Sequence, residues 1–137
     1  MIFTALDDDV LVAGQIRPGD VAAAVALGVN IVVNNRPDGE EASQPAGAEI
    51  EAAARAAGLE YRHIPVAGTL PPEAVAAMAD AIEQAEGKLL AFCRSGTRST
   101  YLWALARARG GEEAETLIRR AAAAGYDLAS LRPYLHA

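Results

Sequence analysis

Leu89-Leu90-Ala91-Phe92-Cys93-Arg94-Ser95-Gly96-Thr97-Arg98-Ser99-Thr100 carries the feature around which the rest of the chain is organised. An apolar run ends in the only cysteine of the sequence, and an arginine follows five positions later. This order of residues predicts a buried strand that delivers a thiol into a tight turn, with a helix starting just beyond it. Gly96 lets the turn bend so that successive backbone N–H groups point inward, and a helix beginning near Ser99 directs its positive end at the same place. Cys93 is then a candidate nucleophile, set up to react as the thiolate. Arg94, Ser95, Gly96 and Thr97 supply the cradle for an anion, and Arg98 adds a planar guanidinium that can engage two oxygens at once.

Upstream of this loop, strand and helix signals alternate. Val10-Leu11-Val12-Ala13 reads as a short strand, and Pro18 and Asp20 open a helix with Val21, Ala24 and Val25 at helical spacing that stops at Gly28. Val29-Asn30-Ile31-Val32-Val33 is β-branched and mostly apolar, as a buried parallel strand should be. It runs into the polar loop Asn34-Asn35-Arg36-Pro37-Asp38-Gly39-Glu40-Glu41. A helix over 46–57 places Ile50, Ala53, Ala54 and Ala57 on one side, and Leu59 to Ile64 forms the next strand, ended by Pro65. Pro71 and Pro72 start a third helix with Val75, Met78, Ala79 and Ile82 on one face, and Lys88 to Phe92 is the strand that feeds Cys93.

Beyond the loop, a helix from Ser99 to about Arg109 is broken by Gly110-Gly111. A further helix carries Ala114, Leu117, Ile118, Ala121 and Ala122, and a last short one spans Leu128 to Leu135. The alternation predicts an α/β fold: a mostly parallel sheet of four or five strands with helices on both faces, residues 1–137 forming one domain. Because sites in such sheets lie at the carboxyl ends of the strands, three loops converge: 34–41, 65–72 and the cysteine loop.

Bulk properties narrow the partners. The formal net charge of −6 argues against a nucleic-acid partner, which calls for a basic surface. Arg94 and Arg98 form a local positive focus, suited to a small anionic group. An apolar share of 52% is ample for a core, while no run reaches the roughly 18–20 apolar residues of a membrane span. The opening Met1 to Asp9 has no basic stretch and runs into three acids, so it does not read as a secretory signal. With a lone, unpaired cysteine, a cytoplasmic setting is expected. Two distant histidines and one cysteine provide no metal-ligand spacing, and no metal or other cofactor is expected. The oligomeric state is left open.

Three segments together resemble the phosphatase-like domain of the beta-lactamase hydrolase-like protein, a bacterial family related to dual-specificity and tyrosine phosphatases. They are Ile31 to Glu40, Tyr61-Arg62-His63-Ile64-Pro65-Val66, and above all Phe92-Cys93-Arg94-Ser95-Gly96-Thr97-Arg98-Ser99. The resemblance implies a cysteine-phosphatase-like fold, Cys93 as the nucleophile that takes a phosphoryl group, and Arg98 as the grip on its equatorial oxygens. It further implies that the Ser99 hydroxyl bonds the cysteine sulfur and eases its departure. The implied substrate is a phosphorylated small molecule, lipid or protein.

Three positions depart from the usual phosphatase pattern. Four residues, not five, separate cysteine from arginine; Phe92 stands where a histidine is usual; and loop 66–72 has no aspartate to act as general acid. Asp38 and Glu73 are the substitutes by position. Asp38 is placed ahead, since its loop reaches the strand-end rim while Glu73 suits the first turn of its helix. The rival reading is a rhodanese-like sulfurtransferase with a persulfide on Cys93, which the four-residue loop favours. The missing Asp-Val-Arg and Gly-His-Ile-Pro-Gly-Ala elements count against it. A catalytically weak phosphate-binding module is the third.

Blander expectations accompany these. Arg94 can face either the anion or solvent. Arg36 and Asp38 fit turn chemistry around Pro37 and Gly39. His63 sits on a strand with an ordinary hydrogen bond, Leu102, Trp103 and Leu105 belong to the core, and Asp7-Asp8-Asp9 forms a solvated turn between two short strands.

Overall fold

The computed structural model describes residues 3–135. Strands β1 (Phe3–Ala5), β2 (Val10–Ala13), β3 (Val29–Asn34), β4 (Glu60–His63) and β5 (Lys88–Phe92) form one sheet in the order β1-β2-β5-β3-β4. β1 pairs antiparallel with β2, and all other pairings are parallel. Helices α1 (Val21–Ala26), α2 (Gly47–Ala56), α3 (Pro72–Gln84), α4 (Thr97–Arg109) and α5 (Ala114–Ala123) cover it, with short 3-10 turns over Pro18–Asp20 and Ala129–Tyr134. The α/β fold read from the sequence is the fold observed.

Strand alternation sorts the core into two layers. Val10, Val12, Leu89 and Ala91 point to the face carrying Met78, Leu102, Trp103 and Leu117 of α3, α4 and α5. Leu11, Ala13, Leu90 and Phe92 point to the other, where Val21, Ala24, Ile50 and Ala54 of α1 and α2 lie. In β3 the parity breaks: Val29 and Val32 share one face while Ile31 and Val33 share the other. The pairing with β5 is irregular between Val29 and Ile31, and this extra residue, as in a bulge, lets both halves of the strand bury their apolar side chains.

The structure corrects the sequence reading in three places. The helix after the cysteine loop starts at Thr97, not Ser99, so Arg98 sits in its first turn. Ala57 is exposed at the end of α2. The acidic turn is solvated only in part: Asp8 and Asp9 are exposed, but the Asp7 side chain is 5% exposed. Its Oδ1 accepts the N–H groups of Asp9 and Val10, while its Oδ2 accepts from Trp103 Nε1 at 2.8 Å and Arg107 Nε at 3.1 Å. A buried indole N–H needs a partner, and Asp7 is the acceptor within reach. No helix among the described residues is long and apolar enough to cross a membrane.

Candidate active site

β5 carries Phe92 and Cys93 to the sheet's carboxyl edge, both without exposed surface. The loop turns at Gly96, whose φ of +92° is a left-handed conformation open mainly to glycine. A side chain there would also collide with the hydroxyl of Tyr126. In this turn the Gly96 N–H donates to Cys93 Sγ at 3.1 Å, and Thr100 ties the helix back to the Gly96 carbonyl through its backbone N–H and its hydroxyl. Ser95 and Thr97 bond to each other across the turn. Two outside groups steady the loop. Gly14 comes so close that a Cβ would sit 3.0 Å from the Arg94 carbonyl oxygen, which accepts the Gln15 N–H. The Tyr126 hydroxyl donates to the Ser95 carbonyl at 3.0 Å.

Arg98 is turned inward over this loop. Its Nη1 donates to the Val66 carbonyl at 2.7 Å, so loop 65–72 does reach the cysteine loop. The same guanidinium holds Glu40 end-on, with Nη1 to Oε2 at 2.7 Å and Nη2 to Oε1 at 2.9 Å. Its pKa is raised, chiefly by its hydrogen bonds to Glu40, and the neighbouring Cys93 adds to the effect. Arg36, only 3% exposed, donates to Glu40, Glu41 and Gln15 through Nε, Nη2 and Nη1. Between two guanidinium groups the Glu40 carboxyl falls from its ordinary 4.5 to about 2, with the Arg98 hydrogen bonds the larger cause. Arg36, Glu40, Glu41, Arg94 and Arg98 line a mouth of about 270 Å³.

Asn35 joins the pieces. Its side chain donates to the Ile64 carbonyl at 3.0 Å and accepts the Ser99 hydroxyl at 2.7 Å, while its backbone bonds Phe92 and Val66. One buried amide thus ties β5, the segment after β4 and the first turn of α4 together.

The predicted site residues therefore divide. Cys93, Ser95, Gly96, Thr97 and Arg98 lie together in the loop and the first turn of α4, and Arg94 points to the rim, two-thirds exposed and paired with Glu41. Ser99 departs from its implied role: its single proton is committed to Asn35, so it does not bond the sulfur. Asp38 accepts the Gly47 N–H at 2.7 Å and so holds the start of α2; it is not among the residues lining the mouth. Glu73 faces a separate groove with Leu70, Leu105, Leu131 and Tyr134. His63 makes an ordinary bond, its Nε2 lying 3.0 Å from the Arg36 carbonyl.

Sequence reasoning missed Glu40, Asn35 and Tyr126, and read Arg36 as turn chemistry. Glu40 stood in the polar loop already quoted, but nothing in spacing separates it from Asp38. Tyr126 lies 33 positions beyond Cys93 and gave no local signal.

The profile of the beta-lactamase hydrolase-like protein, phosphatase-like domain family matches residues 2–110. A beta-lactamase hydrolase-like protein of Agrobacterium fabrum is 37% identical over 107 residues, covering 77% of this chain and 25% of that protein. The chain thus spans about a quarter of that relative. A crystal structure from Neisseria meningitidis, provisionally described as a phosphatase, superposes with a TM-score of 0.86 at 36% identity, covering 98% of this chain and 96% of the other. Two more distant structures share the fold. TpbA of P. aeruginosa in complex with pTyr has a TM-score of 0.64 at 17% identity, covering 98% of this chain and 90% of its own. PTPMT1 in complex with PI(5)P has a TM-score of 0.74 at 14% identity, covering 98% and 92%. The profile match across the cysteine loop and the shared architecture agree: this chain belongs to the beta-lactamase hydrolase-like protein, phosphatase-like domain family.

Proposed function

We propose that the chain is a cysteine-dependent phosphatase that hydrolyses phosphate monoesters through a phosphocysteine on Cys93. The observation that carries this reading is a single juxtaposition: the sulfur accepts the Gly96 N–H at the foot of α4, and the Arg98 guanidinium is turned in over the same loop. Such fixed donors favour charge developing on a phosphoryl group more than they favour the ester itself. The sulfur attacks phosphorus, and the S–P bond forms as the bond to the leaving oxygen breaks. Water then attacks the phosphocysteine, releasing inorganic phosphate and restoring the thiolate. Arg98 holds two non-bridging oxygens, the N–H groups of 94–98 hold the rest, and Ser99 acts through Asn35 as a positioning residue. Asp38 fits a structural part, since its carboxylate is held by Gly47.

Cys93 has no exposed surface, so a substrate reaches it only as side chains over the loop give way. A phosphorylated tyrosine, lipid or small molecule remains the substrate class, in line with the ligands of the structural neighbours. The deciding assay compares the protein with Cys93→Ser on p-nitrophenyl phosphate and on thiosulfate with cyanide. Phosphate release that disappears in the variant is expected. Thiocyanate production without phosphate release would instead establish a sulfurtransferase, and neither product would leave an anion-binding module.

A further inference from the structure

We propose that Glu40 is the proton donor to the leaving group, held in the free protein as the counter-ion of Arg98 and displaced from it by the incoming phosphoryl group. This inference rests on the phosphatase reading above. In an in-line displacement the leaving oxygen lies opposite the attacking sulfur, so with Cys93 at the bottom of the loop it faces the mouth. Glu40 and Glu41 are the two carboxylates lining that mouth. Of the acids suggested by sequence, Asp38 is bound at the start of α2 and Glu73 faces another groove.

The two Glu40 oxygens sit 2.7 and 2.9 Å from Arg98 Nη1 and Nη2, the positions that a phosphoryl group's paired oxygens would take. Both anions cannot hold one guanidinium fork. When phosphate takes Arg98, Glu40 keeps its bond to Arg36 Nε at 2.9 Å, which tethers it at the rim beside the leaving oxygen. The charged groups facing it there are Arg36, Arg98, Arg94 and Glu41. Loss of the stronger cationic partner and the approach of a phosphate charge both favour the protonated carboxyl. The low value of about 2 in the free protein therefore describes the resting ion pair. Glu40 takes one proton from solvent on substrate binding and gives it to the ester oxygen as the P–O bond breaks. As carboxylate, it then accepts a proton from the water that attacks the phosphocysteine.

The test is leaving-group dependence in Glu40→Gln. On phenyl phosphate, whose leaving group needs a proton, kcat/KM, which reports formation of the phosphocysteine and not the later hydrolysis common to both esters, should fall roughly 10²- to 10³-fold. On p-nitrophenyl phosphate, which departs readily as the anion, the loss should stay under about tenfold. Inorganic phosphate should still inhibit competitively, as tightly as before or tighter, which reports an assembled site and the removal of its internal competitor. Glu40→Asp should recover part of the phenyl phosphate rate. Equal losses on both esters, no loss on either, or weaker phosphate inhibition would overturn the assignment, as would the selective loss appearing in Glu41→Gln instead. If the unaltered protein hydrolyses neither ester, the phosphatase reading itself fails; if it hydrolyses both and Glu40→Gln behaves alike, only this assignment does.

Discussion

Two residues set the limits of the loop. Gly96 holds φ at +92° with the Tyr126 hydroxyl packed where a Cβ would go. Gly96→Ala is expected to cost about 1–3 kcal/mol, combining the penalty of a non-glycine residue in a left-handed conformation with the displacement of Tyr126. Urea unfolding checks the stability, and phosphate release should fall in the same variant because the Gly96 N–H no longer addresses the sulfur. Arg98 makes a different demand, since its two nitrogens act as a fork that a single ammonium cannot copy. Arg98→Lys should keep the fold but lower kcat/KM on an aryl phosphate roughly 10²- to 10³-fold, as loss of a fixed oxyanion donor does. Activity near that of the unaltered protein would show that charge alone suffices.

At the level of elements, the site depends on how β3, β4, β5 and α4 end next to one another. Asn35 is the clasp, fully buried, with its side chain satisfied by Ile64 and Ser99. Asn35→Ala would leave a buried carbonyl and a buried hydroxyl without partners, at about 2–4 kcal/mol in total. In a double-mutant cycle, Ser99→Ala should cost clearly less once Asn35 is already alanine. Additive losses would mean that the two side chains do not act as a unit. The same clasp explains why Ser99 departs from its implied bond to sulfur: the hydroxyl has one proton, and the buried Asn35 Oδ1 takes it at 2.7 Å.

Across the whole molecule, an acidic chain concentrates positive charge where two layers of helices leave the strand ends open. Glu40 links loop 34–41 to α4 through Arg98, and its carboxyl is lowered in the folded state from 4.5 to about 2. A lowered acid contributes stability that is complete above pH 4.5 and disappears as pH falls from there through about 2. The pair faces solvent in part, so the contribution is held to about 1 kcal/mol or less. The stability difference between the protein and Glu40→Gln, followed by chemical unfolding, should shrink over that interval; a constant difference would mean that the ion pair adds nothing to folding. Much of this organisation was legible in residues 89–100. An apolar β-branched or aliphatic run, a glycine and a following helix are local signals, and the alternation of such runs with helices points to a largely parallel sheet because a central strand that is apolar on both faces must be covered on both. The family likeness and the Cys93 to Arg98 cradle followed from the same local order. Tertiary structure alone decided which carboxylate reaches Arg98, what Ser99 bonds, that Arg36 is buried, and that Asp7 serves Trp103. Side chains 30 to 100 positions apart compete for the same partners, and a hydrogen bond or ion pair is won by distance and direction in space, which spacing along the chain does not encode.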